Sequence, residues 1–72
     1  MHGTLGTTIA TWRTSAHLTQ QQLADLSGIS QGMISYIERD LRPHVSLHTI
    51  MALACALHCT LTTLVQGKTP PS

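Results

Sequence analysis

Apolar residues recur along the chain at helical rather than strand spacing, and short polar breaks divide them into five groups. The breaks fall at His17-Leu18-Thr19, Leu26-Ser27-Gly28-Ile29-Ser30, residues 40–46 and His58-Cys59-Thr60. Each ends in Ser or Thr, whose side-chain oxygen can take the first free N–H groups of a following helix. Residues 5–16, with Thr4 as cap, place Leu5, Ile9, Trp12 and Ala16 on one face. Residues 20–26, capped by Thr19, turn Leu23 and Leu26 inward, and residues 31–39, capped by Ser30, bury Ile34 and Ile37. In 47–57, capped by Ser46, the stripe is Leu47, Ile50, Leu53, Ala54 and Leu57. A short helix over 61–65 follows Thr60 and stops at Gly67. This predicts an all-α, five-helix domain over residues 1–67 and a disordered tail over 68–72, Lys68-Thr69-Pro70-Pro71-Ser72.

Seventy-two residues support one domain with a thin core. Helices this short are marginal alone in water, so they must fold by packing together. The charge is nearly balanced: four Lys and Arg against three Asp and Glu give +1. Nucleic-acid binders usually carry a basic face, so the positions of the few Arg residues matter more than the total. Five His residues add positive charge below about pH 6.5, where free imidazole protonates. No run approaches the roughly 18 apolar residues of a membrane span, and the N-terminus does not read as a signal peptide. A cytoplasmic protein with reduced Cys55 and Cys59 is expected, without a cofactor and without membrane association. Three carboxylates on so small a chain argue against an enzyme.

The informative stretch is 20–39, QQQLADLSGISQGMISYIER. Two short helices joined by residues 27–30 must pack at a steep angle. Ala24 is small where the third helix crosses, and Gly28 suits a chain reversal with positive φ. Leu23, Ile29, Ile34 and Ile37 fill the space between the two, which leaves Gln31, Gly32, Ser35, Tyr36 and Arg39 facing outward.

The blocks Ile9-x-x-x-Arg13, Leu18-Thr19-Gln20-x-x-Leu23-Ala24, Gly28-Ile29-Ser30 and Ile34-Ser35-x-Ile37-Glu38 occur in this order. They are followed by Pro43-x-x-Ser46-Leu47-x-Thr49-Ile50 and Ala54-x-Ala56-Leu57. With these blocks the chain resembles, over about residues 5–67, the phage-repressor and Cro-type (Xre-like) helix-turn-helix family. The resemblance implies a lambda-repressor-like DNA-binding fold with its third helix in the major groove. Gln31, Gly32, Ser35 and Tyr36 would face bases, and Gln31 has the geometry to bond adenine N6 and N7 together. Gln20, at the start of the second helix, would hold a phosphate, as would Arg39 and Arg42 beside the following loop. Arg13 would pair with Glu38 as a structural bridge. The chain departs from the family pattern at Asp40, His17 and His58, which stand where the family often has Gly at helix ends.

The implied function is a transcriptional regulator that represses by binding an inverted-repeat operator of double-stranded DNA as a homodimer. Leu61 and Val65 are the candidate dimer surface, with Leu64 closing the core of the monomer. The competing reading is a protein-interaction module, such as an antitoxin-type chain that binds a protein partner. The tail after Gly67 offers no amphipathic arm for that role. Cys55, His58 and Cys59, with His48 seven residues before Cys55, suggest zinc ligands but lack a second Cys or His pair. No metal is expected: Cys59 falls at an apolar position of the family and Cys55 reads as a small helix residue.

Overall fold

Why five short helices hold their ends is visible in the caps. The computed structural model describes residues 4–41 and 44–71. It contains α1 (Leu5–Ser15), α2 (Gln20–Ser27), α3 (Gln31–Glu38), α4 (Leu47–Ala56) and α5 (Leu61–Val65). Thr4, Thr19, Ser30, Ser46 and Thr60 each accept the backbone N–H three residues on, at 3.0–3.2 Å. At α2 the bond is reciprocal, because Gln22 Oε1 takes the Thr19 N–H at 2.8 Å.

Four of the five C-terminal ends follow one pattern as well, those of α1, α3, α4 and α5. His17, Asp40, His58 and Gly67 all have positive φ. In each case the next N–H reaches back to the carbonyl five residues earlier: Leu18 to Arg13, Leu41 to Tyr36, Cys59 to Ala54 and Lys68 to Thr63. Three of these left-handed positions are occupied by residues other than glycine. Asp40 gains a compensating contact, since Thr4 Oγ1 donates to its Oδ2 at 3.0 Å. The terminators also explain why α1, α3 and α4 stop one residue short of the ends expected from sequence: Ala16, Arg39 and Leu57 are their C-caps.

Each helix contributes one fully buried side chain, namely Ile9, Leu23, Ile34, Leu53 and Leu64. Ala24, Ile37, Ile50, Ala54 and Leu57 complete the core. Helix α1 packs on α3 and α5, α2 on α3 and α4, and α4 on α5. Gly6 marks a close crossing. A Cβ there would strike the backbone carbonyl of Ile37, so α1 meets the end of α3 with no side chain between them.

Three apolar positions differ from the sequence expectation. Leu26 is 62% exposed. The buried side of α2 is centred between Leu23 and Ala24, which puts Leu26 about 110° away at roughly 100° per residue. Leu47 is 58% exposed because it opens α4 a turn before Ile50, the first buried residue of that helix. Ala16, expected on the inner face of α1, is exposed as the C-cap. The segment after α5 is fastened at Lys68, whose carbonyl accepts the Trp12 indole N–H at 2.9 Å. Within the region expected as a free tail, this residue is therefore held against α1.

Candidate nucleic-acid interface

The outward face of α3 is set by what its inward face must bury. Ile34 and Ile37 occupy the core, and at 3.6 residues per turn this leaves Gln31, Gly32 and Tyr36 exposed, with Ser35 half-buried at the margin. Gln31 is the first residue of the helix, and Arg39 is its exposed C-cap. Arg42 lies outside the described residues. Gly32 has no heavy atom within 4 Å of where a Cβ would stand, so the fold has room for a side chain that the sequence omits.

The orientation of α3 is fixed by a polar cluster on its far end. Arg13 Nε donates to Glu38 Oε2 at 2.7 Å, and Arg13 Nη2 donates to Oε1 at 3.0 Å, a two-pronged pair. The side chains are 16% and 6% exposed. Glu38 holds the Arg13 guanidinium above its ordinary pKa through the side-chain hydrogen bond and its charge, while burial pulls the other way. Arg13 Nη1 also donates to the Leu18 carbonyl at 2.7 Å, which ties the α1–α2 turn into the cluster.

Gln20 enters the same cluster: its Nε2 donates to Glu38 Oε1 at 3.0 Å. The residue singled out from sequence for a phosphate is thus also a link between α2 and α3. Helical periodicity does not reveal such a link, because it depends on two helix ends meeting. Gly6 was missed for a related reason, although a glycine in the second position of a helix was a visible signal of close approach. The dimer candidates divide: Leu61 is half-buried against the core, whereas Val65 is 62% exposed.

The thiols lie apart from this face. Cys55 is exposed on α4 and Cys59 is half-buried after it, with burial pushing the Cys59 thiol pKa up. Among the described residues no three His, Cys, Asp or Glu side chains are grouped to hold a metal ion. No helix among them is long and apolar enough to cross a membrane.

The family model for the helix-turn-helix matches residues 9–64, from the first core residue of α1 to the core residue of α5. The chain belongs to the helix-turn-helix family. It is of the Xre/Cro/C1 type, a class of DNA-binding transcription regulators. Solved structures of regulators are similar to it. The restriction-modification controller protein C.AhdI from Aeromonas hydrophila is 37% identical with a TM-score of 0.79, over 83% of this chain and 89% of that one. The P22 c2 repressor, solved with a synthetic operator, is 27% identical with a TM-score of 0.82, over 92% and 98%. The Bacillus subtilis biofilm regulator SinR, solved with DNA, is 25% identical with a TM-score of 0.81, over 83% and 95%. No curated protein sequence matches the chain. The five-helix arrangement is that of the lambda-repressor-like helix-turn-helix domains.

Proposed function

We propose that this helix-turn-helix chain represses transcription by binding an inverted-repeat operator as a homodimer. The observation that carries the reading is the outward row Gln31, Gly32 and Tyr36 on a helix whose orientation is fixed by Arg13, Glu38 and Gln20. A helix held this way presents its N-terminal side chains to base edges in the major groove. Gln31 reads adenine, and Ser35 and Tyr36 line the same groove face. Arg39 and Arg42 contact phosphates beside it. Gln20 has two amide N–H groups, so one serves Glu38 while the second serves a phosphate. A single α3 reads only a few base pairs, so two copies are needed. Their half-sites lie about one helical turn apart, and Val65 with the exposed edge of Leu61 forms the contact between copies.

The test is selection of bound duplexes from a random pool. Recovery of an inverted repeat with half-sites about 10 base pairs apart is the expected result; recovery of no motif overturns the reading. On the recovered site, Gln31→Ala should cost about 1–3 kcal/mol and relax preference at one position. Gly32→Ala should stabilise the free protein by up to about 1 kcal/mol, since its Cβ has room in the fold; weaker binding of the variant to the recovered site is the result expected if a base edge or sugar lies against this position, and unchanged binding if none does.

A further inference from the structure

Two of the described carboxylates serve the fold across elements: Glu38 is paired with Arg13, and Asp40 accepts a bond from Thr4. Asp25 is bonded only within its own helix, where Gln21 Nε2 donates to its Oδ1 at 3.0 Å. It lines a groove together with Leu18, Gln22 and Leu26, with a volume of about 290 Å³. That is room for a large apolar side chain, at the small end of binding sites. Leu18 is half-buried against the core at one side of the groove, and Leu26 is largely exposed at the other.

The polar groups of this groove are held in place by their neighbours. Gln22 Oε1 is committed to the Thr19 N–H in the capping box of α2, so its amide N–H groups are the part left to donate. The bond from Gln21 orients Asp25 and leaves Oδ2 to accept. Helix α2 carries no Lys or Arg, so the groove is locally negative in a chain of net charge +1. At roughly 100° per residue, Gln22, Asp25 and Leu26 lie on the side of α2 opposite Leu23 and Ala24, away from its packing on α3 and α4. A phosphate backbone is repelled there, whereas a cation beside an apolar side chain is matched. We propose that this groove docks a partner protein through a helix that bears an Arg or Lys one turn from a Leu, Ile or Met.

In this arrangement the partner's apolar side chain covers Leu18 and Leu26, its cation meets Asp25 Oδ2, and an oxygen of the partner takes a Gln22 amide N–H. Amphipathic helices seat in grooves through anchors spaced by one turn in this way. The two leucines supply the burial, and the carboxylate selects the partner more than it adds affinity. A second copy of this chain does not present the required pair from a helix. Arg13 is the one basic residue within the five helices, and it is taken by Glu38. The groove and the outward face of α3 are separate surfaces, so the proposal stands independently of the DNA-binding reading.

The test titrates the whole chain with a capped helical peptide that carries Leu and Arg one turn apart and is otherwise Ala and Gln, followed by NMR. Saturable shifts of the Leu18 and Leu26 methyls and of the Gln22 side-chain amide are expected. Asp25→Asn, which keeps the shape, should weaken binding about two- to fivefold, the worth of an exposed ion pair. A peptide with Glu in place of Arg should bind more weakly still. Leu26→Ser should weaken binding on the order of tenfold. Leu47→Ser, which removes a similarly exposed leucine on α4, should leave it unchanged; circular dichroism checks that each variant is folded. Absence of saturable shifts at the groove overturns the proposal, as does equal affinity for the Arg and Glu peptides. An equal loss with Leu47→Ser means unselective apolar contact and overturns it as well. Shifts of the same methyls on raising the protein concentration alone mean that a second copy fills the groove, and these too overturn it.

Discussion

The two halves of this domain are held by different forces. Helices α1, α2 and the end of α3 are joined by directional bonds: Arg13 to Glu38 and Leu18, Gln20 to Glu38, and Thr4 to Asp40. Among the described residues, the side-chain hydrogen bonds of α4 and α5 stay local, Ser46 to Thr49 and Thr60 to Thr63. Those helices are held by Ile50, Leu53, Ala54, Leu57 and Leu64, whose packing is apolar and non-directional. The contrast teaches that angular precision is concentrated where α3 must be aimed, while the other half supplies bulk stability and tolerates adjustment.

The most forceful way to break this comparison is Glu38→Ala. It leaves the mostly buried Arg13 guanidinium without its partner, and urea unfolding should show a loss of about 3–5 kcal/mol. A loss under ~1 kcal/mol would mean that the cluster is a bystander. Next comes Gly6→Ala, expected to cost about 2–3 kcal/mol by forcing α1 off the Ile37 carbonyl. If the midpoint does not move, the close crossing of α1 and α3 is not needed.

On the apolar side, Leu53→Met should cost less than about 1.5 kcal/mol despite complete burial. A penalty equal to that of Glu38→Ala would erase the distinction between the halves. The smallest effect has the opposite sign. His17→Gly and His58→Gly should each add about 0.5–1 kcal/mol, because left-handed backbone costs a Cβ-bearing residue more than glycine's extra freedom costs the unfolded chain. Asp40→Gly should add less, since it also removes the bond from Thr4.

Much of the fold was legible in the sequence because its signals are local. The five Ser and Thr caps and the apolar stripes are read within one or two turns, and they locate every helix. Leu26 and Leu47 illustrate the limit. Both have the hydrophobicity of core residues, but their exposure depends on where neighbouring helices cross and where they end. Gln20 shows the same limit for the candidate site. Its position suggested a contact with DNA, while its bond to Glu38 arises only when the start of α2 meets the end of α3. Gly6 belongs here too, since the carbonyl that would meet its Cβ is thirty-one residues further along the chain.

The indole of Trp12 has a use beyond fastening Lys68. The chain contains no phenylalanine, one tryptophan and one tyrosine, so its near-ultraviolet spectrum has two addresses. Trp12 lies half-buried where the C-terminal segment meets α1, and Tyr36 stands on the outward face of α3. Selective excitation of the indole follows release of that segment without any attached dye. Changes confined to the phenol follow events at the opposite address, so one unlabelled sample distinguishes loosening of the domain's end from occupation of its recognition face.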